Sequence, residues 1–202
     1  MLEALTGSGL AASAGLNAYI PLLTMGVLTR YTDLMELPSG WDWLSNGWVM
    51  AILAVLLLVE VVADKVPVVD HVNDVLQTAV RPTAGGLAFG AGAGSETVLV
   101  SDPGDTNQWM PVVAGVLIAL GVHGVKALSR GVVNATTAGI GAPVASTAED
   151  VTSVTMSLVA IILPFLVLVF LAGIVLFLAW VLRRRRIKKR ERAAAQTLTL
   201  QR

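Results

Sequence analysis

The chain has 202 residues, of which 55% are apolar and only 14% are charged, and its mean hydropathy is +0.74. A soluble domain carries about 25% charged residues, so this composition excludes an ordinary water-soluble globule and predicts an integral membrane protein. Eight of the 14 Lys and Arg residues lie from Arg183 to Arg192, directly after an apolar tract, which argues against nucleic-acid binding. Because cysteine is absent, disulfides, thiolate chemistry and iron–sulfur clusters are excluded.

Five apolar stretches reach or approach the length of about 20 residues that a helix needs to cross a bilayer. They lie at about 8–28, 48–63, 82–100, 109–128 and 151–182. The last stretch is too long for one crossing, and Pro164 divides it, so that its first part completes a crossing of its own if it begins near Pro143. The sequence therefore predicts an all-α polytopic transmembrane bundle of about five to six membrane segments, some broken or re-entrant at glycine or proline.

The placement of Lys and Arg predicts the orientation, because basic residues favour the cytoplasmic side. The block from Arg183 to Arg192 puts the C-terminus in the cytoplasm, where it is expected to bind anionic lipid. We expect one transmembrane domain at 1–182 and a basic, disordered tail at 183–202. Six crossings place the N-terminus inside, and the rival topology has five crossings and an external N-terminus.

Three similar glycine-centred segments occur at 13–18, 83–88 and 137–142. One interpretation is close helix packing, which small residues permit in lipid. The other is that these segments are helix breaks whose free backbone groups bind substrate, as in secondary transporters. On that second interpretation the breaks are lined by Gly15, Asn17, Gly139 and Gly141.

A charged stretch follows the second apolar span. Glu60 and Asp64 share a helix face, and Asp70, His71 and Asp74 share another after a kink at Pro67. A carboxylate such as Glu60 within the hydrocarbon is a functional hypothesis by default.

Three interpretations of this stretch stay open. The first is structural ion pairing that includes Arg81. The second is a cation or proton site, with Asp70, His71 and Asp74 as ligands for a divalent cation, the one cofactor the sequence suggests. The third is a lipid-phosphate clamp made by Lys65 and Arg81.

A second acidic pair, Glu149 and Asp150, follows Ser146. The Ser146-to-Glu149 spacing is typical of a capping box at the start of a helix, although the same carboxylates could also face a cavity. For His123 we expect a helix-packing or interfacial role. The motifs of serine hydrolases, phosphate-binding loops and zinc proteases are absent, so we predict that the protein is not an enzyme, with a metal-dependent enzyme acting on lipid as a minor alternative.

Four segments carry a family resemblance: 13–23 (SAGLNAYIPLL), 62–74 (VADKVPVVDHVND), Arg81-Pro82 and 148–150 (AED). Over about residues 8–182 the chain resembles the bacterial membrane family known as domain of unknown function 4126. The resemblance implies a small multi-pass protein of the bacterial cytoplasmic (inner) membrane and implies no activity. Asn17 stands where relatives often have a basic residue, so a basic role at that position is not carried over.

These observations predict a small membrane transporter or channel, for a divalent metal or coupled to protons, and forming a homo-oligomer. The residues predicted to bind the ion or substrate are Asn17, Glu60, Asp64, Asp70, His71, Asp74, Arg81, Glu149 and Asp150. The alternative is a non-transporting scaffold or lipid-binding protein whose charged residues are structural ion pairs. What separates the two is whether the carboxylates face a wet cavity or pair with Lys65, Arg81, Lys126 and Arg130.

Overall fold

The computed structural model describes residues 1–65, 67–94, 109–137 and 140–169, with 172–173, 175–176, 179–180 and 183–184; the side chains at 67–72, 74 and 134 lie outside this description. The described chain is all-helical, which confirms the all-α part of the predicted fold class. It consists of α1 (Leu2–Leu16), α2 (Tyr19–Tyr31), a short 3₁₀ helix (Asp42–Ser45), α3 (Gly47–Ala63), α4 (Pro67–Gly92), α5 (Trp109–Thr137) and α6 (Ala142–Ile162).

The first predicted span is a helix broken at Asn17 and Ala18. Asn17 has extended backbone angles, and its side-chain oxygen accepts hydrogen bonds from the amides of Tyr19 (3.1 Å) and Ile20 (3.3 Å). These amides belong to the first turn of α2, where no carbonyl of the helix itself is available to them. Pro21 follows in the same turn, where a missing N–H costs nothing. The predicted break therefore falls at Asn17.

The centre of the bundle is α1, which packs against α4, α5 and α6. Its buried positions are mostly glycine, alanine and serine, and a Cβ atom on Gly15 would lie 2.7 Å from the Ala119 carbonyl oxygen of α5. Ser13 joins α1 to α6 through hydrogen bonds of 2.7 Å to the hydroxyls of Ser153 and Ser157. Close helix packing, the first interpretation of the glycine-centred segments, is thus what the structure shows for Gly15.

Helices α4 and α5 also approach closely. A Cβ atom on Gly115 would overlap the carbonyl oxygen of Gly85, and a Cβ atom on Gly85 would overlap the Cβ atom of Ala119. Pro82 lies inside α4 and does not begin a helix, so the predicted third span starts within a longer helix. The helix begins instead at Pro67, at the predicted kink.

Both ends of α6 lie close to a proline residue. The helix begins at Ala142 with Pro143 in its first turn, and it ends at Ile162, just before Leu163 and Pro164. A residue that precedes proline is disfavoured in the helical conformation, and Leu163 accordingly has a φ of −134°. The division of the 151–182 tract at Pro164 is confirmed.

Within the described chain, one helix is both long and apolar enough to cross a membrane by length and composition, namely α5, and α3 is apolar but shorter. The outward face of α3 is lined by large apolar side chains: Ile52, Val55, Leu58, Val59 and Val62 are each more than half exposed. Charged side chains are instead found inside the bundle. The number of five to six membrane segments stays a prediction.

The described residues form two compact units, Met1–Val167 and Leu168–Arg202. In the second unit the guanidinium of Arg184 lies over the ring of Trp180, 4.4 Å from the ring centroid. The predicted boundary between a membrane domain ending at 182 and a basic tail stays a prediction.

Candidate functional site: a buried charge network

Six charged side chains from four helices and one helix end meet inside the bundle. Five of these residues are at most 4% exposed, and the sixth, Glu149, has a side chain that is 13% exposed. We call this set the buried charge network; its members are Glu60, Asp64, Arg81, Lys126, Arg130 and Glu149. Three are acidic and three are basic, so the network is formally neutral.

The first part of the network joins α3 to α4. The guanidinium of Arg81 donates to Glu60 Oε1 through Nη2 at 2.9 Å, and the two side chains are 0% and 1% exposed. Arg81 Nη1 lies 3.0 Å from His123 Nδ1 on α5. A guanidinium can only donate hydrogen bonds, so His123 Nδ1 must accept. The imidazole is therefore neutral with its proton on Nε2, where it can donate to the Thr78 hydroxyl at 3.2 Å.

Three buried polar atoms around this pair have no hydrogen-bond partner among the described residues. They are Glu60 Oε2, Arg81 Nε and Gln77 Oε1. Gln77 precedes Arg81 by four residues on α4, so the two side chains share a face of the helix. Two acceptor oxygens and one donor nitrogen are therefore left without hydrogen bonds in a site whose other polar atoms are paired.

The second part of the network joins α5, α6 and the end of α3. Lys126 Nζ lies 3.0 Å from Glu149 Oε2 and 3.7 Å from Asp64 Oδ2. Arg130 Nη2 lies 2.9 Å and 3.0 Å from the same two oxygens. Two carboxylates thus share two cations, and each cation contacts both carboxylates.

Asp64 and Lys126 are held by further hydrogen bonds. Asn73 of α4 donates to Asp64 Oδ1 at 2.9 Å, and the Ser146 hydroxyl lies 3.4 Å from Asp64 Oδ2. Lys126 also donates to the carbonyl of Leu16, the last residue of α1, at 2.9 Å. The C-terminal carbonyls of a helix carry partial negative charge, which favours a cation at this position.

A separate polar contact links the break after α1 to α6. Asn17 is 1% exposed, and its amide donates to Asp150 Oδ1 at 3.0 Å while its oxygen caps α2. The single side chain therefore fixes both the start of α2 and the position of the Asp150 carboxylate.

Replacing Asn17 with alanine is expected to lower the free energy of unfolding by about 2–3 kcal/mol, because the cap and the hydrogen bond to Asp150 are both lost. Asn46 is the matched control, since its side chain caps α3 through the amide of Trp48 at 2.9 Å and has an exposed position. Asn46→Ala should cost about 1 kcal/mol. Thermal unfolding in detergent compares them, and equal losses would show that the bond to Asp150 contributes nothing.

Four of the predicted site residues lie in the network: Glu60, Asp64, Arg81 and Glu149. Asn17 and Asp150 pair beside it. The side chains of Asp70, His71 and Asp74 lie outside the description, as does Gly139.

Two predictions about this region are wrong. The capping box is wrong because α6 begins at Ala142, so Ser146 and Glu149 lie within the helix and their side chains contact the network. The lipid-phosphate clamp is wrong because Arg81 is fully buried against Glu60, whereas Lys65 is exposed and donates to the carbonyl of Val61.

The predicted site set left out three residues of α5 that lie at the site. Lys126 and Arg130 were named only as pairing partners of the carboxylates in the scaffold alternative, and His123 was expected to have a helix-packing or interfacial role. The signal for all three was their spacing at i, i+3 and i+7, which places them on one face of α5. That face meets Arg81 of α4, Glu149 of α6 and Asp64 at the end of α3.

Within the described residues, no group of three histidine, aspartate or glutamate side chains is placed to hold a metal ion. The network itself offers carboxylates that are already neutralised by Lys and Arg. Its geometry suits the movement of protons or the exchange of ion-pair partners better than the coordination of a dehydrated cation.

The fold and site define a class of small α-helical bundle whose charged side chains are gathered in its interior around a glycine- and alanine-rich central helix. A family model described as domain of unknown function (DUF4126) matches residues 4–184, and the chain belongs to that family. Comparison with curated proteins and with solved structures gave no match.

Proposed function

We propose that the protein is a multi-pass protein of the bacterial cytoplasmic membrane with a cytoplasmic C-terminus. The distribution of side chains supports this placement, because large apolar residues cover the outer face of α3 while six charged residues are turned inward. Exposed apolar surface of this kind is rare on soluble monomers. Ionisable residues in membrane helices, in contrast, almost always face the bundle interior and pair there.

We further propose that the protein is a small transporter coupled to protons, in which the buried charge network is the switching element. The observation that carries this proposal is that Asp64 and Glu149 share both Lys126 and Arg130. Protonation of either carboxylate weakens its hold on the two cations and leaves them to the other carboxylate. Because Asp64 follows α3 and Glu149 belongs to α6, this exchange would shift the contacts between these elements and so couple proton uptake to helix movement.

Transport of a divalent cation is the other form of the transporter proposal. Its predicted ligands are Asp70, His71 and Asp74, whose side chains are not among those that the structure describes. The balanced charge of the network favours proton coupling, since a site for a dehydrated divalent cation normally leaves net negative charge on its ligands.

Proton flux into liposomes tests the proposal. Purified protein is reconstituted with a pH-sensitive dye inside, and an imposed potential drives protons inward. We expect wild-type flux to exceed that of empty liposomes and to fall at least tenfold in Glu149→Gln, which cannot take up a proton. Glu36→Gln is the matched control because Glu36 is exposed and outside the network. Its flux should equal that of the wild type.

The second candidate function is a non-transporting scaffold or lipid-binding protein, and one observation favours it: each carboxylate of the network has a basic partner. On this proposal the network fixes helix positions, and partners are other copies of the chain and anionic lipid. The segment from Arg183 to Arg192 would contribute about 1 kcal/mol of lipid binding per basic residue. Wild-type protein without proton flux, together with a Glu149→Gln variant that loses thermal stability, would favour the scaffold.

A further inference from the structure

A groove on the bundle surface lies beside the part of α4 that carries Gln77 and Arg81. Its volume is about 310 Å³, and it is lined almost wholly by apolar groups from α2, α3 and α4. Leu53 and Ala84, which line it, precede Glu60 and follow Gln77 by seven residues, so each pair shares a helix face. The groove and the unpaired atoms therefore lie along the same seam between α3 and α4.

Tyr19 connects the two features. Tyr19 lines the groove, and its phenol lies close enough to Gln77, Glu60 and Arg81 for these side chains to act on it electrostatically. Glu60 Oε2, Gln77 Oε1 and Arg81 Nε have no hydrogen-bond partner among the described residues, although all three residues are at most 3% exposed. Leaving such atoms unpaired is costly, so a group that completes their hydrogen bonds is favoured.

We propose that this seam is a binding site for a lipid-soluble molecule with one apolar chain and an uncharged hydroxyl head. The chain lies in the groove, and the hydroxyl reaches past Tyr19 to the Glu60–Arg81 pair. There it donates its hydrogen to Glu60 Oε2 or Gln77 Oε1 and accepts from Arg81 Nε.

The chemistry of the site selects this class over its neighbours. Glu60 and Arg81 neutralise each other, so a carboxylate head would bring net negative charge against Glu60 into a buried place. A pure alkane would fill the groove and leave the three polar atoms unpaired. A hydroxyl group supplies a donor and an acceptor without charge. The small groove volume, at the lower limit for ligand pockets, suits a single chain.

Photolabelling of the protein in phosphatidylcholine nanodiscs tests this site. The probes are 1-dodecanol, dodecane and dodecanoate, each with a diazirine on the chain, and labelled peptides are identified by mass spectrometry. We expect the alcohol to label the groove peptides of α3 and α4 about tenfold more than the alkane or the carboxylate. Equal labelling by the alcohol and the alkane would overturn the proposal.

Three substitutions test the location of the site. Ala79 is exposed and lines the groove, so Ala79→Trp should fill it and abolish labelling by all three probes, whereas Leu76→Trp, exposed on the same helix and outside the groove, should change nothing. Gln77→Leu should reduce the preference for the alcohol over the alkane at least threefold. Retention of groove labelling in Ala79→Trp would contradict the location. Photolabelling measures binding and needs no transport. A negative labelling result would therefore reject this binding site without bearing on the proposed proton coupling.

Discussion

Replacing Arg81 with methionine is expected to lower the free energy of unfolding by about 3–5 kcal/mol, because it leaves the Glu60 carboxylate buried without its cation. Methionine fills much of the space of the arginine side chain, so lost charge and hydrogen bonding account for most of the effect. Thermal unfolding in detergent micelles measures the loss. Arg30→Met is the matched control, since Arg30 is exposed and contacts the carbonyl of Ser45, and it should change stability by less than about 1 kcal/mol.

A second variant separates the cost of a broken pair from the worth of the intact one. In Glu60→Leu/Arg81→Met both charges are gone, and apolar side chains of similar size replace them. We expect this double variant to recover much of the stability that Arg81→Met loses, because apolar substitutes for a buried pair are often neutral or stabilising. A double variant as unstable as Arg81→Met alone would mean that the pair itself, or its contact with His123, stabilises the fold.

Replacing Gly115 with alanine is expected to destabilise the bundle by about 1–3 kcal/mol, because the added methyl group would overlap the Gly85 carbonyl of α4. Backbone atoms cannot yield as a flexible side chain does. Gly121 lies on the same helix with nothing within 4 Å of an added Cβ atom. Gly121→Ala should therefore stabilise the protein by about 0.5–1 kcal/mol through helix propensity alone.

Gly115→Ala is expected to lower the free energy of unfolding and Gly121→Ala to raise it, so the two variants can be told apart by the direction of the change. Both are measured by thermal unfolding in the same detergent. If Gly115→Ala were neutral or stabilising, the close approach of α4 and α5 at Gly85 would be absent in the protein.

Features fixed by local chemistry could be predicted from the sequence. The break at Asn17, the kink at Pro67, where α4 begins, and the end of α6 before Pro164 follow from one residue and its neighbours along the chain. The apolar tracts likewise predicted an all-helical protein. These predictions needed no knowledge of which helices are neighbours in space.

The pairing of charges could not be predicted, because it depends on which helix faces meet. Spacing shows that Glu60 and Asp64 share a face of α3, but it does not show that this face meets Arg81 and Arg130. The same gap explains the failure of the capping box. Ser146 and Glu149 fit a local pattern for a helix start, while the true start at Ala142 follows Gly141 and lets both side chains reach Asp64 or its partners.

Synthesis of the chain separates the charges that the network finally joins. Asp64 and Arg130 are 66 residues apart. Because translation proceeds at about 5–20 residues per second, roughly 3–13 s pass between the synthesis of Asp64 and that of Arg130. In the proposed membrane setting an unpaired carboxylate at a helix centre costs about 2.5–3.5 kcal/mol. Glu60 and Asp64 lie at the end of α3, so they bear at most this penalty until α4 and α5 emerge. Nascent chains that stop before α5 would therefore keep α3 near the interface, where quality-control proteases can reach it.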